Sequence, residues 1–228
     1  MNSMSGDMQL KKHVEDELSW EPSVNAAAIG VAVKDAIVIL SGHVTSFAEK
    51  RAAEQAVMRI HGVKALANEL EVKFPVDRRR TDEDIAGAAA SALTWNASIP
   101  KERIKIQVSH GLVTLEGSVD WQYQRMAAEL AVENLVGVQG VRNLVTVTSA
   151  PVRAEVKSQI EAALKRNAEV QSQHISVAVQ GNKVILTGKV ESLAKRNAAE
   201  RAAWKASGVN WVENNIQVLP ISSSATAA

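Results

Sequence analysis

Three stretches decide the fold: Ile29-Gly-Val-Ala-Val-Lys-Asp-Ala-Ile-Val-Ile-Leu-Ser-Gly-His-Val44, Ile104-Lys-Ile-Gln-Val-Ser-His-Gly-Leu-Val-Thr-Leu-Glu-Gly-Ser-Val119 and Ile175-Ser-Val-Ala-Val-Gln-Gly-Asn-Lys-Val-Ile-Leu-Thr-Gly-Lys-Val190. They align without a gap, the first two 75 residues apart and the last two 71 apart. Self-similarity at a fixed spacing marks a copied structural unit. Inside each copy, Ile29, Val31 and Val33, Ile104, Ile106 and Val108, and Ile175, Val177 and Val179 alternate with small or polar residues. That period of two predicts a strand with one buried face. The short links after them predict hairpins, and a second strand then ends at Gly42, Gly117 and Gly188. A glycine in the same place three times predicts a positive φ or a close backbone approach.

Outward from this core, each copy opens on a helix. Leu10, Val14 and Leu18, Ile85, Ala89 and Leu93, and Val156, Ile160 and Leu164 each form an apolar stripe. Thr81 followed by Asp82, Glu83 and Asp84 is a strong helix start. An alanine-rich second helix follows the hairpin and is expected to stop at Gly62, Gly137 and Gly208, glycine being the usual αL residue beyond a helix. A last strand begins near Asn68, Asn143 and Asn214, each expected to bond neighbouring backbone. The order is α-β-β-α-β. The fold class is α+β: three tandem units, each a three-stranded mixed sheet with two helices on one face. The units are placed at residues 1–75, 76–149 and 150–221, before a tail at 222–228 that reads as disordered.

The strand–glycine motif, the α-β-β-α-β order and the closing Gly-Val segment before Asn68, Asn143 and Asn214 resemble the BON domain, the family of bacterial osmotically inducible and nodulation proteins. The resemblance covers about residues 8–75, 80–149 and 152–220; Asp35-Ala36 departs from it where a glycine is expected in the first turn. It implies a non-catalytic binding or protective module associated with osmotic or envelope stress; three related faces on one chain would let it act by weak multivalent contacts. It also implies two alternatives: an anionic phospholipid surface as partner, or a potassium-sensing role. Most members are exported, but the leaderless three-copy layout resembles a cytoplasmic, transport-associated subgroup. The cytoplasm is therefore the expected compartment, or the periplasm if a leader has been removed.

Composition narrows the chemistry. There is no cysteine, so no disulfide, thiolate metal site or thiol nucleophile. No apolar run approaches the roughly 20 residues of a membrane span. The five histidines make no ligand spacing, and no phosphate-binding or nucleophile motif appears, so neither a metal, a cofactor nor catalysis is expected. Net charge is +1, distributed as −2 over residues 1–75, −1 over 76–149 and +4 over 150–228. That footprint does not suit nucleic acid. Arg78-Arg79-Arg80 reads as a solvated linker, as does Ala150-Pro151.

Differences between copies point to function. Trp20 and Trp95 end the first helix and are expected to close the core. Trp121 and Tyr123 stand where the other copies have Ser46 and Ala48 or Ser192 and Ala194, and Trp204 and Trp211 are further aromatics of the third unit. These four form a candidate contact surface, either between units or toward an external protein or lipid surface. Lys189, Lys195 and Arg196 are candidate contacts for an anionic surface. The oligomeric state is left open.

Overall fold

The computed structural model describes residues 2–75, 79–148, 156–166 and 175–219, with side chains from residue 6 onward. Arg78, Ala150-Pro151 and the tail lie outside the described residues. The first unit runs α1 (Asn2–Trp20), β1 (Ile29–Lys34), β2 (Ile37–Val44), α2 (Phe47–Arg59), β3 (Ala65–Asn68) and β4 (Glu71–Val72). The second runs α3 (Asp82–Trp95), β5 (Ile104–Ser109), β6 (Leu112–Val119), α4 (Gln122–Glu133), β7 (Gly140–Asn143) and β8 (Thr146–Val147). The third runs α5 (Val156–Arg166), β9 (Ile175–Gln180), β10 (Lys183–Val190), α6 (Leu193–Trp204) and β11 (Trp211–Val218).

Each unit has the predicted mixed sheet. The hairpin strands pair antiparallel, with Ile29 opposite Gly42, Ile104 opposite Gly117 and Ile175 opposite Gly188. The closing strand pairs parallel to the central strand β2, β6 or β10. In all three units its partner lies 28 residues further along: Ile37 with Ala65, Leu112 with Gly140, Lys183 with Trp211. β4 and β8 keep that register, so β3–β4 and β7–β8 are each one strand in two pieces.

Three separate cores sit under the three sheets. The predicted stripes of α1, α3 and α5 are buried in full, from Leu10, Val14 and Leu18 to Val156, Ile160 and Leu164. The helix start at Thr81 is a capping box: the Thr81 hydroxyl accepts from the Asp84 N–H, and the Asp84 carboxylate accepts from the Thr81 N–H. Trp20 and Trp95 are a correction. They are 83% and 88% exposed, not closing a core. Each lies two residues past the last stripe residue, about 200° around the helix, and so faces water.

The repeated glycines answer to sterics. Gly42 and Gly117 have φ +113° and +132°. A Cβ there would lie 2.2 Å from the Ala28 carbonyl oxygen and 1.9 Å from that of Arg103. Both predicted reasons, positive φ and close approach, therefore hold. The second helices end earlier than expected, at Arg59, Glu133 and Trp204. Bonds of the i→i−3 type then tighten the chain (Ile60 N–H to the Val57 carbonyl, Leu135 to Val132, Lys205 to Ala202) before the glycines turn it into the last strand.

The first hairpin turns without glycine. Asp35 and Ala36 take φ +53° and +64°, the doubly positive pattern of a type I′ turn. Side chains rarely adopt it unaided. The Asp7 carboxylate accepts from both turn N–H groups, at 2.8 and 3.0 Å. Asp82 does the same for His110 and Gly111, and these two backbone bonds hold its carboxyl below the usual range. A helix-borne carboxylate thus clamps the hairpin in two of the units.

Candidate functional site

The three units close on one another through their second helices, and they do so cyclically. Phe47, the first residue of α2, packs against the core of the second unit. Leu193, the first residue of α6, is buried in the core of the first. One turn later the pattern repeats. Arg51 of α2 meets Glu133 of α4 at 3.7 Å, and Asn197 of α6 meets the Met58 sulfur of α2 at 3.6 Å. In the aligned copies, Arg51 and Asn197 share one position, and Glu133 and Met58 share another. The same pair in the remaining seam is Met126 of α4 and Trp204 of α6, and both line one groove there.

The three seams share a geometry and differ in chemistry. Between the first and second units the seam is ionic: Arg51 also lies 3.5 Å from Glu54 and 3.9 Å from Glu129. Glu133 is buried, and its carboxyl is pushed above its ordinary range, with burial as the main cause, Arg51 opposing and Glu129 adding. The Arg51 Nε and Glu133 Oε2 atoms are buried without a hydrogen bond, so the pair is held by charge alone. The folded molecule binds the Glu133 proton more tightly than the unfolded chain does. Its cost is therefore absent well below the carboxylate range and grows as pH rises through it. Arg51→Met removes the opposing cation. It should lower stability by roughly 1–3 kcal/mol near neutral pH, allowing for the one-third exposure of Arg51, and by much less at about pH 4. Urea titrations at the two pH values check this; an equal loss at both rejects it.

Between the third and first units the seam holds a polar groove of about 650 Å³, lined by Arg51, Glu54, Met58, Arg59, Lys195 and Asn197 among others. Between the second and third units the corresponding groove, about 370 Å³, is apolar. Its α4 wall is Trp121, Gln122, Tyr123, Met126, Ala127 and Leu130; its α6 wall is Arg201, Trp204 and Lys205. Trp121, Tyr123, Met126 and Leu130 are exposed at 40%, 57%, 37% and 54%. A second opening joins Gln122, Arg125 and the Val145–Val147 edge to Trp204, Asn210 and Trp211.

Local structure shows what Trp121 costs. Ser46 and Ser192 cap α2 and α6, each hydroxyl accepting from the N–H three residues on. Trp121 holds the same position and has no such bond. Losing a hydroxyl cap costs about 1 kcal/mol. The Gln124 amide oxygen compensates in part, accepting from the Asp120 and Trp121 N–H groups. Gln122 stands where Phe47 and Leu193 plug the other seams, and its Oε1 is buried without a hydrogen-bond partner. A chain that breaks local rules at one of three equivalent places points to a function there.

The structure brings Trp121, Tyr123, Trp204 and Trp211 to this single seam. It does not gather the basic trio. Lys189 is exposed on β10, Lys195 is ion-paired with Glu191, and the Arg196 guanidinium donates to the Asn214 carbonyl. The repeated asparagines are internal clasps: the side-chain oxygens of Asn68, Asn143 and Asn214 accept from the N–H two residues on. Asn143 and Asn214 also donate to Glu129 and Glu200. Sequence reasoning missed Gln122, Met126 and Leu130. Tyr123, Met126 and Leu130 form an i, i+3, i+7 stripe beside the core stripe of α4, which was a readable signal. Among the described residues, no group of His, Asp or Glu is arranged to hold a metal ion, and no helix is long and apolar enough to cross a membrane.

The sequence pattern of the BON domain matches the chain three times, at residues 6–73, 81–149 and 153–220. The chain belongs to the BON family. Each match contains one α-β-β-α-β unit, so the seams are contacts between BON units. Osmotically-inducible protein Y of Escherichia coli (strain K12) is 26% identical over 143 residues, 60% of this chain and 70% of the relative. Two structures of CdsD, a structural protein of the type III secretion system of Chlamydia trachomatis, align at 16% and 15% identity. They cover 93% and 96% of this chain and 98% and 100% of theirs, each with a TM-score of 0.27.

Proposed function

We propose that this triple-BON protein is a non-catalytic, stress-associated binding module, and that the apolar groove between its second and third units is where it binds. One observation carries the reading: among the described residues, the exposed Trp121 and Tyr123 and the apolar groove they line fall at one of three equivalent seams, at the expense of a helix cap. Packing alone does not require it, since the other seams close with a single apolar plug, Phe47 or Leu193, and polar contacts at Arg51 and Asn197. The stress association follows the relative named for osmotic induction. The features repeated in every unit support a scaffold: the glycines relieve backbone clashes and the asparagines are bonded internally. The unequal seams favour one principal binding face over three equal weak ones.

Deletion of the gene in its host, followed by complementation at high osmolarity, tests the reading. The wild-type chain should restore growth. A Tyr123→Ala, Met126→Asn, Leu130→Gln triple variant, which borrows residues found at these positions in the other units, should fold and fail to restore it. Full rescue by this variant would remove the groove from consideration.

A further inference from the structure

The chain itself displays what fits such a seam. At two seams the space is filled by a large apolar side chain on the first turn of a helix, Phe47 or Leu193. At the third, Gln122 takes that place, and the openings beside it are lined by Trp121, Met126, Leu130, Trp204 and Trp211. The charged side chains lining these two openings are Arg125, Arg201 and Lys205; no carboxylate is among them. The polar groove at the neighbouring seam, which Arg201 also lines, does include a carboxylate, Glu54. Residues 150–228, which supply one wall, carry a net charge of +4.

We infer that the groove receives an acidic helical segment of another protein, anchored by a large apolar side chain near its start. This rests on the reading of the groove as the binding site and names its partner's chemistry. The apolar anchor would enter beside Gln122 as Phe47 and Leu193 enter their seams, covering the exposed Trp121 and Tyr123 and the half-buried Trp204. Acidic residues of the same segment would face the exposed Lys205 at the rim, where complementary charge guides encounter and fixes orientation. Acids in a first helical turn are also favoured by the helix dipole, so the two requirements agree within one segment. The mode is a helix laid in a groove between helices.

The test uses the full chain and its own tryptophan emission. Two synthetic helical peptides share one Phe and Leu pattern and differ only in flanking Glu or Lys. The Glu peptide should shift the emission and bind at least about tenfold more tightly than the Lys peptide. The preference should shrink as salt is raised. Lys205→Glu should reduce or reverse it, and the Tyr123→Ala, Met126→Asn, Leu130→Gln variant should weaken Glu-peptide binding about tenfold or more while keeping the wild-type unfolding midpoint. Equal binding of the two peptides, or unchanged binding by the triple variant, overturns the inference. So does a response to phosphatidylglycerol vesicles with none to either peptide, which would assign the groove to a lipid surface. If the triple variant fails to rescue growth but the peptides do not bind, the groove is functional and only the partner chemistry is wrong.

Discussion

Gly117→Ala should remove the second unit from the cooperatively folded molecule. Two costs coincide at this residue. Its φ of +132° lies where a side chain is strained, about 1–3 kcal/mol. The added Cβ would sit 1.9 Å from the Arg103 carbonyl oxygen, and backbone must move to relieve that, for a further 1–3 kcal/mol or so. A unit of about 70 residues has only about 4–10 kcal/mol to lose. Urea unfolding should show a separate early transition, and amides of β5 and β6 should lose protection from hydrogen exchange. Gly87→Ala is the control. Gly87 lies within α3 with nothing within 4 Å of a new Cβ, so that change should be neutral or stabilise by up to about 1 kcal/mol. A Gly117 variant that melts with the wild type would show that the close approach to the Arg103 carbonyl is wrong.

Leu115→Ala is the second large effect. Leu115 is fully buried in the second core, in one cluster with Ile85, Val113 and Val132. Deleting its branched end leaves a cavity, and the loss should be roughly 2–5 kcal/mol. The same core receives Phe47 from the first unit. The variant should therefore loosen the ionic seam as well, and Arg51→Met should cost less in the Leu115→Ala background than in the wild type. A double-mutant cycle measures this; simple additivity would show that the two units do not feel each other's cores.

What the sequence made legible was whatever lies inside a unit. The stripe at Leu10, Val14 and Leu18 needs only helical spacing to be read, and the alternation at Ile104, Ile106 and Val108 needs only the pleat. The glycines were legible because the same close approach recurs where the chain enters the paired first strand. The seams were not, because contact between copies depends on how three bodies are set in space, which no local period encodes. Trp20 and Trp95 show the same boundary from the other side. A large aromatic at a helix end invited a core assignment, but its angle around the helix turned it outward. The candidate site was half legible: unmatched aromatics flagged Trp121, Tyr123, Trp204 and Trp211, while Met126 and Leu130 passed as ordinary helix residues.

Cyclic contact among covalently joined copies has an evolutionary consequence. Three identical subunits making this ring would share one gene, so a change at Met126 would appear at every joint simultaneously, and a sticky patch would be tripled along with its aggregation hazard. Tandem duplication releases that constraint. Each joint can then drift on its own, two being kept for cohesion while the third is free to specialise. Asymmetry here would be the product of fusing the copies, and the groove its first dividend.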